Sequence, residues 1–281
     1  MFNSTNSVKF HDGRSAPRVG LGVWQIDNDA VGPVVESALE AGYRSIDTAA
    51  IYENEQGVGE AIARSGIDRE ELFIATKLWN DAHGHDSTAA AFEQSLEKLG
   101  LDYVDLYLIH WPVPKVDLYV AAWETMIQLR DEGRAKSIGV CNFKINHLQR
   151  LLDETGVTPV VNQLELHPHF QQDKLRLFHA EQDIVTEAWS PLGSGRCLND
   201  PVLVGIAHKH SRSVAQVALR WHIQLDNMVI PKSVTPSRMQ ENLNVFDFTL
   251  DEEDMASIAA LDRADGRFGP DPELFRMPIQ S

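Results

Sequence analysis

Short apolar runs alternate along the chain with segments whose apolar residues recur at helical spacing. The run at 19–24, for example, precedes a segment in which Val31, Val35 and Leu39 share one helical face, and Gly42 then stops that helix. The other runs that are followed by helical segments lie at 44–47, 72–79, 104–110, 136–142, 160–165, 183–189 and 228–232. This repeated order of strand and helix predicts an α/β protein with a parallel sheet.

The pattern favours a closed (β/α)8 TIM barrel, because its strands are short and almost continuously apolar. An open doubly wound sheet is the alternative. That fold usually carries G-x-G-x-x-G after a strand, whereas here Gly57 and Gly59 are followed by Ile62 where the third glycine would stand. Before the first unit, two extended runs around Asp12-Gly13 predict an N-terminal β-hairpin.

Capping signals mark several helix starts. The predicted caps are Asn54 for the helix after the second strand, Asp86 or Ser87 after the third, capping boxes beginning at Ser213 and Thr249, and Thr235 followed by Pro236 at the first helical position.

Composition and charge narrow the class of protein. The 281 residues are 43% hydrophobic and contain no linker or low-complexity tract, so we expect one domain over 1–281. A net charge of −16 argues against nucleic acid or an anionic membrane as a partner. No signal peptide or run long enough to span a membrane is evident, and two cysteines suit a reducing compartment. We expect a cytoplasmic protein, and a monomer.

In a barrel, the carboxyl ends of the strands meet on one face, which is where such folds place their chemistry. The residues that end the predicted strands are unusual in type, and they are Trp24, Asp47, Lys77, His110, Asn142, Gln163, Trp189 and Lys232.

Four residues near these strand ends suggest proton transfer. Lys77 ends an apolar strand and must either reach solvent or find a counter-ion, for which Asp47 is available. An ammonium beside Tyr52 would lower the phenol pKa from ~10 toward the working range. Tyr52 could then protonate a developing alkoxide while His110 donates a second hydrogen bond. Each residue alone is better interpreted as structural, but the coincidence of all four favours catalysis.

Two further groups have both a functional and a structural interpretation. Lys232, Ser233 and Arg238 surround a predicted helix N-terminus, which would form an anion site in an acidic protein. Trp24, Trp79 and Trp111 each follow a strand end, and they fit a pocket for a carbonyl substrate as well as they fit ordinary packing. The remaining histidine pairs have i, i+2 spacing, so we predict no metal site.

The chain resembles the aldo-keto reductase superfamily over nearly its whole length, and it is most similar to bacterial reductases of the 2,5-diketo-D-gluconate type. The motifs that carry the resemblance are Gly42–Ala49 with Tyr52, Thr76–Trp79, Leu106–Pro112, Gly139–Phe143, Asn162–Pro168 and Ile230–Ser233.

The resemblance implies a (β/α)8 barrel that uses NADPH to reduce aldehydes and ketones. It implies that Asp47, Tyr52, Lys77 and His110 form a catalytic tetrad, with Tyr52 as the general acid. The cofactor residues implied are Asn142 and Gln163 at the nicotinamide carboxamide, Trp189 stacked on the ring, Ser190, Leu192, Gly193, Ser194 and Gly195 over the pyrophosphate, and Lys232, Ser233 and Arg238 at the adenosine 2′-phosphate. Val234, Glu241 and Asn242 are implied as further cofactor-binding residues. The segment Phe275–Pro278 would close the substrate pocket.

One position departs from the family pattern. Cys141 stands where relatives usually have a serine that bonds the nicotinamide carboxamide, and a thiol is a weaker donor and acceptor. Cys141 could face the carboxamide in the same way or could be a small buried hydrophobe. At the level of function, the rival hypothesis is a non-catalytic NADP(H)-binding subunit or structural protein on the same barrel. The intact set of Asp47, Tyr52, Lys77 and His110 disfavours that rival.

Overall fold

Strands and helices alternate along the chain in the computed structural model, which describes residues 6–275. The strands are β1 (Ser7–Lys9), β2 (Ser15–Pro17), β3 (Leu21–Gly22), β4 (Ser45–Asp47), β5 (Phe73–Leu78), β6 (Val104–Ile109), β7 (Ala135–Cys141), β8 (Val161–Glu165), β9 (Val185–Trp189) and β10 (Met228–Val229). The helices are α1 (Asn28–Ala41), α2 (Glu55–Arg64), α3 (His85–Leu99), α4 (Tyr119–Asp131), α5 (Ile145–Thr155), α6 (Asp173–Glu181), α7 (Pro201–His210), α8 (Val214–Gln224), α9 (Pro236–Leu243) and α10 (Glu252–Ala259).

Strands β3 to β10 form one parallel sheet in chain order. The two ends of the sheet also meet, because Val19 forms a parallel bridge with Val229 and the Gly20 amide donates to the Val229 carbonyl at 2.9 Å. A side chain at Gly22 would lie 2.8 Å from the Ile230 carbonyl oxygen, so glycine is required for this close approach. The eight parallel strands with their helices are consistent with a (β/α)8 fold.

The predicted hairpin is present as the antiparallel pair β1 and β2. Its apolar side chains Val8, Phe10 and Ala16 are buried against the interior of the sheet, in a cluster with Phe73, Ala75, Leu106, Leu108, Cys141, Val160, Val161 and Met228. Since Phe73, Val160 and Val161 lie at the amino ends of their strands, the hairpin covers the end of the sheet opposite the strand-end residues. That leaves the carboxyl ends available for a site.

Apolar helix faces cover the outer surface of the sheet. Val35, Leu96, Trp123, Leu148 and Leu219 are all buried in one cluster with outward-facing strand residues. Burying a side chain of this size contributes about 1.5–3 kcal/mol relative to exposure. The face predicted for the first helix from Val31, Val35 and Leu39 is therefore confirmed. None of the helices among residues 6–275 is long and apolar enough to cross a bilayer.

The predicted helix starts are only partly correct. The capping box at Ser213 is confirmed, and Thr235 precedes Pro236 at the start of α9, although its side chain forms no cap bond. The box predicted at Thr249 is wrong, because Asp251 caps α10 in a reciprocal pair with Asp254.

Two other caps need correction. Helix α3 begins at His85 after Gly84, so Asp86 and Ser87 lie inside its first turn. Asn54 does precede α2, but its side chain does not cap that helix. Its amide instead donates to the carbonyls of Val23 and Ile26 at 3.0 and 2.9 Å, which ties the β3 loop to the β4 loop. The last strand is also shorter than predicted, since β10 covers only Met228–Val229.

Candidate active site

Lys77 and Asp47 form a buried ion pair at the carboxyl end of the sheet. The Lys77 Nζ atom lies 2.5 Å from Asp47 Oδ1 and 2.8 Å from the Thr48 carbonyl oxygen. Both residues are almost fully buried. Burial alone would lower the pKa of Lys77, but the Asp47 carboxylate raises it, and the net direction is upward. The sequence left open whether Lys77 reaches solvent or finds a counter-ion. In the structure, Asp47 is its counter-ion.

Tyr52 lies beside this pair, on a 3-10 helix formed by Ala50–Tyr52 after β4. Its ring centroid is 5.0 Å from Lys77 Nζ and 5.6 Å from the His110 ring. The expected fall in the Tyr52 pKa is wrong for this structure. Burial raises the pKa of Tyr52 to about 12, and the attraction of the Lys77 ammonium offsets only part of that rise. Tyr52 is therefore a protonated phenol throughout the neutral range.

His110 follows β6 and faces the same space. Burial and the nearby Lys77 charge lower its pKa well below the usual value, so the ring is neutral near pH 7. The His110 Nδ1 atom is buried and has no hydrogen-bond partner within the described residues. An orphaned N–H is rarer in proteins than an orphaned acceptor, so the tautomer that protonates Nε2 is favoured. Neutral His110 can thus donate a hydrogen bond from Nε2.

A second buried carboxylate, which the sequence interpretation missed, completes the charged cluster. Gln163 Nε2 donates to Asp47 Oδ2 at 2.9 Å and to Glu187 Oε2 at 2.8 Å. Glu187 lies inside β9, two residues before Trp189, and it is buried. A charged residue within an apolar strand was the available signal, the same signal that identified Lys77. Burial, followed by repulsion from Asp47, raises the pKa of Glu187 to about 7.

Asn142 and Trp189 are joined by a hydrogen bond. The Trp189 indole N–H donates to Asn142 Oδ1 at 2.9 Å, and Asn142 Nδ2 donates to the His110 carbonyl at 3.0 Å. Asn142 has φ 62°, a left-handed conformation that asparagine tolerates better than most residues. Trp189 is half-buried, so part of its ring is open to a ligand. The structure therefore brings Asn142, Gln163 and Trp189 together at one wall of the site.

The loop after β9 has an unusual backbone. Ser190, Gly193, Ser194 and Gly195 all have positive φ. A side chain at Gly193 would meet Cys197 Sγ at 2.8 Å, so the loop cannot fold this way with a larger residue there. Within the loop, the Gly193 and Gly195 amides donate to the Ser190 and Leu192 carbonyls at 2.8 and 3.0 Å. Turns with successive positive-φ residues are common at anion sites.

The remaining predicted cofactor residues lie in α9 or just before it. Lys232, Val234 and Arg238 are exposed, and Ser233 Oγ accepts the Thr235 amide at 3.2 Å. Within residues 6–275, neither Lys232 nor Arg238 forms an ion pair or side-chain hydrogen bond. Of the other two predicted residues, Glu241 accepts a hydrogen bond from Ser213 and Asn242 is buried.

Aromatic rings form one side of the cleft. Trp79 packs edge-on against His110 with centroids 5.1 Å apart, and Trp111 stacks on Phe275 at 4.4 Å. Phe275 also contacts Trp79. The C-terminal segment therefore reaches the predicted pocket, as the resemblance implied, although residues 276–278 lie outside the described residues. Trp24 is 51% exposed and has no ring contact among the described residues.

Glu165 anchors another part of the C-terminal segment. Its two carboxylate oxygens accept the Phe268 and Gly269 amides at 2.9 and 2.8 Å, and Oε1 also lies 3.1 Å from His167 Nε2. Phe268 packs edge-on against Trp189 with centroids 5.9 Å apart. The sequence interpretation assigned no role to Glu165 or Phe268, because it could not place a distant loop against this strand.

Cys141 is fully buried in the apolar cluster under the site, and burial raises the pKa of its thiol well above the usual value. This environment favours a small hydrophobe with an unreactive thiol. Among residues 6–275, no group of three histidine, cysteine, aspartate or glutamate side chains is arranged to hold a metal ion.

The chain matches a model of one protein family and is similar to known proteins over most of its length. A model of the Aldo/keto reductase family matches residues 18–263. The chain is 54% identical over 270 residues to the methylglyoxal reductase DkgA of Escherichia coli, covering 95% of this chain and 97% of that one. It is 53% identical over 268 residues to an aldo-keto reductase of Mycobacterium sp. strain JLS, with the same two coverages.

Solved structures resemble it as well. An aldo/keto reductase from Brucella melitensis has 59% identity and a TM-score of 0.89, covering 91% of this chain and 99% of that one. An aspartate-to-alanine variant of Gox0644 in complex with NADPH has 50% identity and a TM-score of 0.94, covering 98% of this chain and 100% of that one.

Proposed function

Because the chain belongs to the aldo/keto reductase family and is an oxidoreductase, we propose that it reduces aldehydes and ketones to alcohols with NADPH. The observation that carries this proposal is the meeting of Tyr52, Lys77, Asp47 and His110 within one cleft. The frame that we propose is a closed (β/α)8 barrel forming a single domain over 1–281. The cytoplasmic location and monomeric state expected from the sequence stay predictions.

The residues present fit the cofactor. Lys232 and Arg238 are exposed cations near the start of α9 and are without other partners within residues 6–275, as a 2′-phosphate site requires. Trp189 presents a partly open ring beside Asn142 and Gln163, where a nicotinamide could stack. The loop from Ser190 to Gly195 has a positive-φ backbone of the kind that is common at anion sites, and it would lie over the pyrophosphate. When bound, NADPH would supply the hydride for the carbonyl carbon.

Tyr52 is the proposed general acid. Hydride addition turns a carbonyl oxygen into an alkoxide, a base comparable to hydroxide, whose conjugate acid has a pKa of ~15.7. A phenol with a pKa of about 12 is fully protonated near pH 7 and still a stronger acid than the alcohol that forms. The proton therefore moves downhill from Tyr52 to the alkoxide, and the Lys77 ammonium stabilises the tyrosinate that remains.

His110 is the proposed orienting group. Its neutral ring can donate Nε2–H to the carbonyl oxygen, which places that oxygen near Tyr52. Trp79 and Trp111 provide apolar walls that exclude water from the reacting carbonyl. The likeness to a methylglyoxal reductase supports small ketoaldehydes as one substrate class.

The proposal is tested by following NADPH oxidation with a panel of methylglyoxal, simple aldehydes, α-keto esters and diketo sugars. We expect turnover with at least one small carbonyl compound and formation of the corresponding alcohol. NADPH binding without oxidation by any member of the panel would favour the non-catalytic alternative. Absence of both binding and oxidation would overturn the proposal as a whole.

A further inference from the structure

The carboxyl end of the sheet buries more negative than positive charge. Asp47 and Glu187 are two carboxylates in the cluster, whereas Lys77 is its only ammonium. Lys77 is paired with Asp47, and no cation among residues 6–275 forms an ion pair with Glu187. Removing a carboxylate charge from water is costly, so Glu187 depends on the Gln163 hydrogen bond and on the nearby Lys77 charge.

Glu187 and Asp47 together determine how the Gln163 amide is turned. Both hydrogens of Gln163 Nε2 are used, one by Asp47 Oδ2 and one by Glu187 Oε2. Carboxylates only accept hydrogen bonds, so the NH2 group must face them and the Oε1 atom must point the other way. The Gln163 group that remains for a ligand is therefore an acceptor, which suits the NH2 of a carboxamide.

Glu187 also precedes Trp189, the residue on which the nicotinamide is proposed to stack, by two positions on β9. Glu187 and Trp189 are two residues apart on β9, so their side chains share one face of the strand. Two residues of a strand span ~7 Å. Strand register places Gln163 opposite Glu187 and Cys141 opposite Gln163, which makes one row across β7, β8 and β9. The row forms the floor beneath the Trp189 ring.

We propose that Glu187 is a positioning residue for the cofactor, which turns the Gln163 carbonyl toward the nicotinamide carboxamide and, through its buried charge, favours the oxidised cofactor over the reduced one. The inference rests on the proposed function. Its physical basis is that nicotinamide is neutral in NADPH and carries a positive charge in NADP⁺. A carboxylate in the floor stabilises that charge as it develops.

Several groups surround Glu187 and take part in its ionisation. Asp47 on β4 repels its charge, Lys77 on β5 attracts it, Gln163 on β8 donates to it, and the Cys141 thiol on β7 lies nearby. Burial raises the pKa of Glu187 to about 7, so the side chain is largely neutral at pH 6 and largely ionised at pH 8.5. Preference for NADP⁺ is therefore expected to increase across that interval.

The test measures dissociation constants for NADPH by fluorescence and for NADP⁺ by competition, at pH 6 and pH 8.5. Glu187→Gln keeps the size and an acceptor oxygen but removes the charge. At pH 8.5 we expect this variant to bind NADP⁺ about 10- to 50-fold more weakly and NADPH within about threefold, the size of a unit-charge attraction over ~7–10 Å at an effective dielectric constant of about 20. At pH 6 the loss should shrink to a few-fold.

Glu187→Leu removes the acceptor as well and should weaken both cofactor forms. The matched control is Glu55→Gln, since Glu55 is an equally buried carboxylate that bonds Thr76 and does not contact Gln163. Its ratio of the two dissociation constants should equal that of the unaltered protein at both pH values.

An unchanged ratio in Glu187→Gln at pH 8.5 would overturn the inference. The pH dependence of the ratio in the unaltered protein is a second test that needs no variant to fold, and a flat ratio would also count against Glu187. Failure of the proposed function is distinguishable, because the unaltered protein would then bind neither cofactor or bind NADPH without oxidising it.

Discussion

Among single residues, Lys77 neutralises Asp47, one of the two carboxylates of the charged cluster. Its ammonium contacts Asp47 Oδ1 and the Thr48 carbonyl, so it has two partners in a region that water does not reach. Removing one partner of a buried ion pair usually costs about 3–5 kcal/mol, because the other charge is left uncompensated. Lys77 is therefore a poor choice for isolating catalysis from stability, whereas Tyr52 can be truncated without leaving a charge.

Tyr52→Phe removes only the phenolic hydroxyl. We expect carbonyl reduction to fall by at least a hundredfold while NADPH binding stays within a few-fold, since the proton donor is lost but the ring is kept. Steady-state turnover and fluorescence titration of NADPH measure the two effects. Tyr103→Phe is the matched control, because it removes a phenolic hydroxyl just before β6, at the end of the sheet opposite the site. Turnover by Tyr52→Phe within tenfold of the unaltered protein would remove Tyr52 from the acid role.

The raised pKa of Glu187 also predicts how the free energy of unfolding changes with pH. The pKa of Glu187 is raised to about 7 in the folded chain, above its value of ~4.3 in an unfolded chain. The folded state thus retains a proton that the unfolded state has lost, so the stabilisation is present below about pH 4.3 and is lost as pH rises through about 7.

Glu187→Gln stays neutral at every pH and escapes that loss. Relative to the unaltered protein, its free energy of unfolding should be higher at pH 8 than at pH 5 by on the order of 1–3 kcal/mol. Urea denaturation at the two pH values measures this difference, and Glu253→Gln on the exposed face of α10 is the control. A constant difference between pH 5 and pH 8 would show that Glu187 titrates normally.

At the scale of elements, the sequence located strands better than helix starts. Continuous apolar runs identify a buried parallel strand wherever it lies, so β4 to β9 were found near their observed positions. A helix cap depends on one side chain, and that side chain can instead form hydrogen bonds to residues distant in the chain. Asn54 is an example, because its amide bonds Val23 and Ile26 from another loop and is not available to α2.

The site residues divide in the same way: the sequence predicted those near strand ends but not their partners from distant parts of the chain. Lys77, Asp47, Tyr52 and His110 were found because they end strands or follow them closely. Their contacts are observed as expected, but the direction of the Tyr52 pKa shift was wrong because it depends on depth of burial. Glu187 lies one layer below a strand end, and Phe268 comes from a loop more than one hundred residues away from Glu165 in the chain. A charged residue within an apolar strand was the one local signal for Glu187, and no local pattern marks the contact between Phe268 and Glu165.

The start of α9 is the element that we expect to select NADPH over NADH. Arg238 is exposed in the first turn, where the helix dipole also favours an anion. A charge-assisted contact contributes about 1.5–3 kcal/mol, so Arg238→Ala should weaken NADPH roughly 10- to 150-fold and leave NADH nearly unchanged. Titrations with both cofactors measure the effect, and Arg14→Ala in the hairpin is the control. Equal losses for both cofactors would contradict this role.

In the molecule as a whole, the candidate active site and the N-terminal hairpin lie at opposite ends of the sheet. The N-terminal hairpin covers the amino ends of the strands with Val8, Phe10 and Ala16. The charged cluster and the aromatic cleft lie at the carboxyl ends. Cys141 lies between the two, since it packs in the hairpin cluster while Lys77 and Glu187 act on its thiol electrostatically. This separation allows stability and activity to be altered independently.

Phe10→Ala tests that separation. Phe10 is 2% exposed and packs edge-on against Phe73 with centroids 6.2 Å apart. Truncating a buried phenylalanine typically costs about 3–5 kcal/mol, through lost burial and the cavity left behind. We expect a loss of that size in the free energy of unfolding, measured by urea denaturation. The variant's kcat and KM per folded molecule should remain within about twofold at a temperature where it is folded. Exposed Leu177→Ala should change neither quantity. A tenfold fall in kcat for folded Phe10→Ala would mean that the hairpin end and the carboxyl end of the sheet are coupled.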